Sequence, residues 1–535
     1  MDCVCIAQDY RIIEGTDTLF FAPSQSKQDS LFSDWWDQQL QEGYLAASSR
    51  KQGNDLIVSK GEIYNFSSIK GLDSTDLAQS LSKKELKQFE KGEFNYQDIQ
   101  SFSQAQLSNY ENNGYPFSRI NYQPSFEGDH LFLRPEIQKG NFIELDSLVV
   151  KSNFKFSPQL LAKLLQLELY KGYNENAISQ IPMKVNNLPF LKLTKSPEVV
   201  FNDNNAQIYV YLEKLKANKF DGIIGFQPET ETGRTQITGD VSLELLNALN
   251  QGEKIQLHWR RIRDGIQELD ASFRYPYVLK TSLGLGGEIE VYRRDSTFSS
   301  ARLRAELAYL FTFDQSVSGF IENWTSNSLQ SQFSANADVN ITRYGSRLII
   351  GKSDSRTNPL NAHHFDIEAS AGFKTIPSND DNTDDIKGEQ YVTEFDASFR
   401  RKLSGELGLA FLARGGKKWD NTSLLAGNEL FRIGGLNSIR GFNEEQFFAE
   451  EYFMGGIELV YRLDRNTSVF GFFDQSWYQQ NIDGKIEDRP YGFGAGLNLG
   501  SKAGQFKLIY ALGSQNDSPI LFREAKLHFG FINLF

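Results

Sequence analysis

From about residue 219 to the C-terminus, apolar and polar side chains alternate with a period of two, the spacing of strands with one face in oil and one in water. In 301–311 the odd positions Ala301, Leu303, Ala305, Leu307, Tyr309 and Phe311 are apolar or aromatic, and Arg302, Arg304 and Glu306 stand between them. The same split sets Leu283, Leu285, Ile289 and Val291 against Ser282, Glu288 and Glu290, and Ile255, Leu257 and Trp259 against Lys254, Gln256, His258 and Arg260. It recurs with Leu407, Leu409, Phe411 and Ala413 against Glu406 and Arg414. A soluble β-sandwich gives the same alternation, so count and length decide. Segments of about ten residues recur over more than 300 residues, too many for one sandwich and enough for a transmembrane antiparallel barrel of about 16 strands over residues 216–535. Tyr292, Tyr309 and Phe311, near segment ends, are expected in the aromatic girdles.

The first 215 or so residues alternate helical and strand periods and contain a repeat. A helical stretch over 31–42 ends at Gly43-Tyr44, and a strand signal runs from Asp55 through Lys60-Gly61 into Ile63, Tyr64, Phe66 and Ile69. A second helical stretch over 102–113 ends at Gly114-Tyr115-Pro116, and its strand signal passes Lys139-Gly140 into Phe142, Ile143, Leu145, Leu148 and Val150. Glycine just past a helix accepts the left-handed backbone there, and a following proline forbids continuation. A third unit opens with Ser157-Pro158 ahead of Leu160, Leu161, Leu164 and Leu165, and closes with Ile208, Val210 and Leu212 at strand spacing. The expected α+β modules are 10–60, 61–138 and 139–215.

Composition narrows the chemistry. Lys and Arg total 56 against 68 Asp and Glu, a formal charge of −12, so a nucleic-acid partner is not expected. No run of about 18 apolar residues exists to cross a bilayer as a helix. The two cysteines, Cys3 and Cys5, precede every foldable segment and offer the domains neither disulfides nor a thiolate site. Residues 1–9 are read as a tail, in which Val4 to Gln8 is either the end of a secretory signal or an arbitrary start. The five histidines lack partner motifs, and His363-His364 on a strand point to opposite faces, so no metal site is expected. With no nucleophile elbow, no phosphate loop and no zinc spacing, neither an enzyme nor a cofactor is expected. The glycine-rich stretch from Tyr491 is read as a bending strand.

One turn stands apart. Residues 434–442 read GGLNSIRGF, with Ile439, Arg440, Gly441 and Phe442 at its end. Alternation of Phe453, Ile457, Leu459 and Tyr461 independently turns Glu458 inward, whereas Phe on both faces near Asp474 leaves its direction open. With Gly455-Gly456-Ile457-Glu458-Leu459, Phe472-Phe473-Asp474 and the terminal KLHFGFINLF, this motif resembles the outer-membrane assembly and translocation family of BamA/TamA-like barrels with POTRA domains. The resemblance departs at Ser476, where the family usually has glycine, and at the turn 354–361, which lacks the closing glycine.

The resemblance implies β-α-α-β-β POTRA repeats ahead of a barrel, with Arg440 locked to Glu458 and Asp474 inside it. It further implies an outer-membrane site in a bacterial cell with the N-terminal modules in the periplasm. The implied function is insertion or translocation of unfolded outer-membrane or secreted client proteins, with outer-membrane lipid and accessory periplasmic or lipoprotein subunits as further partners. The alternative is a two-partner-type secretion pore for one dedicated client. The first strand, near Phe220, Gly222, Gly225 and Phe226, must close against the last, with Phe529, Phe531 and Phe535. Glycines leave that edge short of packing side chains, so a weak seam is expected to offer strand templating to a client.

Overall fold

The structure is a computed structural model that describes residues 10–44, 46–69, 87, 89, 91, 95–128, 130–228, 235–261, 265–294, 297–329, 336–353, 359–378, 384–421, 425–436, 438–464, 466–482, 484–501, 504–516 and 520–534. Side chains are described for these except at 65, 67, 223–228, 235–238, 532 and 534. The tail 1–9, most of the turn 354–361 and Phe535 lie outside the described residues. Contacts group the chain into two units, residues 1–147, 168–180 and 199–208, and residues 148–167, 181–198 and 209–535.

In the first unit, the strands Tyr10–Glu14, Asp17–Ala22, Ser48–Gln52 and Asp55–Ser59 form one sheet beside the helix Gln25–Gln41. The next sheet contains Asn65–Ile69, Arg119–Glu127 and His130–Gln138, with the helix Tyr96–Asn112. Both place the first strand parallel to the last. The helices begin earlier than apolar periodicity suggests because capping sets their starts: Ser24 accepts from the amide of Lys27, and Asn95 and Asp98 form a reciprocal capping box. The first module departs from the β-α-α-β-β expectation. Asp17–Ala22 adds a strand by a tight hairpin on Tyr10–Glu14, where a first helix was expected. In the third module, Glu144–Ser152, Asn205–Lys214 and Leu191–Asn202 form a sheet in that order, with helices Pro158–Leu164, Glu175–Ser179 and Ile181–Asn187 between the first strand and the other two.

The repeated Gly-Tyr punctuation is a structural joint. Gly43 and Gly114 sit at φ +93° and +94°, and their carbonyls accept from the amides of Tyr64 and Ile143, which lead into the following module. At Gly114 the ring of Phe142 lies where a side chain would start, 2.3 Å from an ideal Cβ.

In the second unit, 16 antiparallel strands run from Lys219–Pro228 to Lys526–Leu534 and close into a barrel among the described residues. Lys485–Asp488 and Tyr491–Gly500 count as one, since both pair with Ser468–Asn481. The outward face is the apolar one: Leu285, Ile289, Leu303, Leu307, Tyr309, Phe311, Ile457 and Leu459 are all exposed. Tyr292 is corrected from a girdle residue to a fully buried one. It follows Val291, and with a period of two an outward Val291 forces Tyr292 into the lumen. At the side where the chain enters the barrel, Phe190 meets Phe313 edge-on with ring centroids 5.4 Å apart.

The two ends of the sheet meet briefly. Among the described residues, Lys219–Pro228 pairs with Lys526–Leu534 at Lys219 with Leu534 and at Phe220 with Asn533, whereas on its other edge it pairs with Thr235–Leu246 from Lys219 to Pro228. Gly114→Ala is expected to destabilise the N-terminal modules by about 1–3 kcal/mol through strain and the Phe142 clash. Denaturant unfolding of the modules in the full chain, followed by limited proteolysis, measures it.

Candidate functional site

The long connection between Leu407–Asp420 and Glu451–Arg462 turns inward instead of out to solvent. Its stem contains a 3₁₀ turn, Gly427–Glu429, and a two-stranded ribbon of Phe431–Ile433 and Phe447–Ala449. Ile433, Ile439, Phe442, Phe447 and Ala449 are buried with Val392, Met454 and Tyr478 in one apolar cluster. Because Ile457 and Leu459 face outward, Glu458 faces the lumen; Phe470, Phe472 and Asp474 are buried while Phe473 is exposed, so Asp474 faces the same way.

The structure brings Arg440, Glu458 and Asp474 together. The guanidinium donates from Nε at 2.7 Å and Nη2 at 2.5 Å to the two oxygens of Asp474, and from Nη1 at 2.6 Å to Oε1 of Glu458. Its plane lies 3.7 Å over the ring of Phe472. This fork geometry is what a lysine cannot supply. Arg400 reaches the other oxygen of Glu458 at 3.3 Å.

Close backbone approach fixes the loop's seat. Gly441 sits at φ +98°, with an ideal Cβ 2.6 Å from the backbone of Leu512, and Phe442 lies 2.8 Å from the corresponding point on Gly513. At Gly492 that point is 1.8 Å from the carbonyl oxygen of Arg440. The glycine-rich strand from Tyr491 therefore makes room for the loop backbone, a role its composition did not reveal.

Three further anchors come from loop residues outside 434–442, of which Arg432 neighbours the motif and Glu429 and Glu445 carried no signal. Glu429 receives Lys374 at 2.7 Å, and Lys374 also lies 2.9 Å from Asp420; all three side chains are at most 1% exposed. Gln390 donates to Glu429 at 2.7 Å and accepts from Arg343, which bonds Glu322 at 2.6 Å, and Glu322 in turn receives Arg304 at 2.6 Å. Arg432 stacks 3.5 Å over Tyr292 and reaches Glu290 at 3.3 Å. Glu445 bonds Arg260 and accepts from the Tyr292 hydroxyl at 2.7 Å. It does so from a left-handed backbone, φ +54°, a conformation that costs a non-glycine residue about 1 kcal/mol or more.

Of the seam residues, Phe220 and Phe529 are exposed, Gly222 packs against Val241, and Phe531 meets Phe506 in a tilted pair with centroids 4.5 Å apart. Gly225 pairs with Thr238 and Phe226 with Ile237. His258, Glu268 and Asp270 bring potential ligand atoms within 4.8 Å of one another. Each is already engaged, Glu268 with Arg260 at 2.5 Å and His258 with Asp240 at 2.9 Å and Asp270 at 3.5 Å, so the cluster reads as an ion-pair network.

No protein-family model and no curated protein matches the sequence. Among solved structures, CdiB from Escherichia coli is similar over 96% of this chain and 98% of that chain, with 14% identity and a TM-score of 0.54. CdiB from Acinetobacter baumannii is similar over 96% and 98%, with 16% identity and a TM-score of 0.51. BamA from Haemophilus ducreyi lacking POTRA domains 1–3 covers 88% of this chain and 99% of its own, with 14% identity and a TM-score of 0.49. The two CdiB likenesses show the fold, an outer-membrane-type barrel behind small N-terminal α/β modules.

Arg440→Ala and Arg440→Lys are both expected to raise thiol labelling of a Leu436→Cys reporter several-fold, because neither can fill two carboxylate sites at once. Lys374→Met leaves Glu429 and Asp420 buried without their cation and is expected to cost about 3–5 kcal/mol. Neutralising all three with Lys374→Met, Asp420→Asn and Glu429→Gln should cost less than Lys374→Met alone, read from the urea midpoint of the folded barrel.

Proposed function

We propose that the protein is an outer-membrane assembly factor of the BamA/TamA kind, which inserts or translocates client proteins by templating a strand at its seam. The observation that carries this reading is the brief pairing of Lys219–Pro228 with Lys526–Leu534. In hydrocarbon an unpaired strand edge finds no water, so its amides and carbonyls are satisfied only by another strand. An unfolded client segment has the complementary groups, and addition to an open edge needs no nucleotide and no covalent step.

Turn lengths support the orientation. On the side where the chain enters the barrel no connection between the described strands is longer than 354–361, while on the other side 329–338, 377–385, 421–450 and 515–525 are longer and 262–265 and 295–297 are short. Short turns face the periplasm in outer-membrane barrels, which supports a periplasmic side for the N-terminal modules. The outward apolar face then meets outer-membrane lipid, and the modules meet clients and accessory periplasmic or lipoprotein subunits.

The second reading is a secretion pore for one dedicated client. The likeness to the two CdiB structures favours it, CdiB being a two-partner secretion protein. Three N-terminal modules favour the assembly factor, since such pores usually carry two.

Proteoliposomes containing the full chain are expected to speed folding of an unfolded outer-membrane barrel precursor by roughly tenfold over empty vesicles, scored by its heat-resistant migration. A photo-crosslinker at Phe220 should capture that precursor through its last strand. No acceleration and no crosslink, together with passage of an unfolded exported protein across the vesicle wall, would favour the pore.

A further inference from the structure

The inward loop touches both flanks of the seam within a few residues. On one flank, Gly441 and Phe442 are seated against Leu512 and Gly513 of Gln505–Ser514, and Gln446 bonds Gln515 at 3.1 Å. On the other, Glu445 bonds Arg260 of Lys254–Arg261 and the hydroxyl of Tyr292. Between these flanks lie the last strand, the seam itself and the first two strands. With neighbouring strands about 4.8 Å apart, the flanks are roughly 19 Å apart along the wall. The backbone from Gly441 to Glu445 spans at most about 14 Å when fully drawn out.

We infer that this segment is an internal bar across the seam, and that the Glu445 contact with Arg260 and Tyr292 is its releasable end. The other end is the firmer one. Arg440 is held by three side-chain bonds to two carboxylates, and Gly441 lies against backbone on which no side chain fits. Glu445 is held by one guanidinium and one hydroxyl, and Arg260 has a second carboxylate, Glu268, ready at 2.5 Å when Glu445 leaves. Its left-handed backbone relaxes on release. Gln446 is tied to Gln515 on the Gly441 flank, so separating the flanks loads the step from Gln446 to Glu445 and breaks the Glu445 end first. Glu445 is thus a positioning residue that couples the loop to the width of the seam.

The inference rests on the seam being the part that opens, and its test contains no client, so it fails separately from the insertion reading. In a Cys3→Ser, Cys5→Ser background, Phe220→Cys and Asn533→Cys replace register partners across the seam. Leu409→Cys and Leu459→Cys replace partners on a wall remote from it. Disulfide formation is timed in proteoliposomes for each pair. Glu445→Gln should slow the seam pair at least fivefold and leave the wall pair within twofold; Tyr292→Phe should slow the seam pair less. Unchanged seam rates in folded protein, or equal slowing at both pairs, overturn the inference. If Glu445→Gln does not reach the heat-modifiable folded form, the Tyr292→Phe rates decide by the same comparison.

Discussion

A sheet surrounded by hydrocarbon must pair every backbone amide and carbonyl within itself, because the solvent offers no substitute. From that constraint follow the closure of the wall, the strict alternation of its side chains and the consequence of pairing its ends only at Lys219 with Leu534 and Phe220 with Asn533 among the described residues. It also explains the loop. A wall of outward leucines and isoleucines sends its arginines and glutamates inward, and those that are buried there, such as Arg304, Glu322 and Arg343, need partners. The stem and tip of the loop bring part of what is required, with Glu429, Arg432, Arg440 and Glu445 each meeting an opposite charge on a different part of the wall.

Ion pairs of this kind are poor sources of net stability, since dehydrating both partners offsets most of their attraction. Their effect lies in selectivity. Arg440 finds two carboxylates at one place, and Lys374 finds Asp420 and Glu429 at another, so a loop displaced along the lumen leaves several buried charges unmatched at once. The loop position is therefore strongly specified even where its net contribution to folding is small.

Much of this was legible in the chain. Alternation alone turned Glu458 inward, and the repeated Gly-Tyr punctuation marked the joints at Gly43 and Gly114. The same parity applied strictly would have placed Tyr292 inside, but aromatic residues near strand ends suggested a girdle. Asp474 stayed ambiguous because phenylalanines occupy both faces of its strand; the inward ones, Phe470 and Phe472, pack beneath loop and guanidinium. Lys374 with Glu429, and Arg260 with Glu445, were not readable, since partners 55 and 185 residues apart carry no local signal. The added strand Asp17–Ala22 was missed because a two-residue hairpin leaves little spacing to read.

The glycines at 492 and 513 bear on chronology. The carbonyl of Arg440 and the ring of Phe442 fill the hollows over these positions, which belong to the fourteenth and fifteenth staves of the wall. A loop arriving after the cylinder has formed would have to slide its phenylalanine and its paired arginine down a crowded shaft. A loop already folded onto Glu451–Arg462 and Ser468–Asn481 lets the remaining staves be laid against it like boards against a former. Laid in that order, the last staves take their curvature from the loop, which also precedes them in the chain.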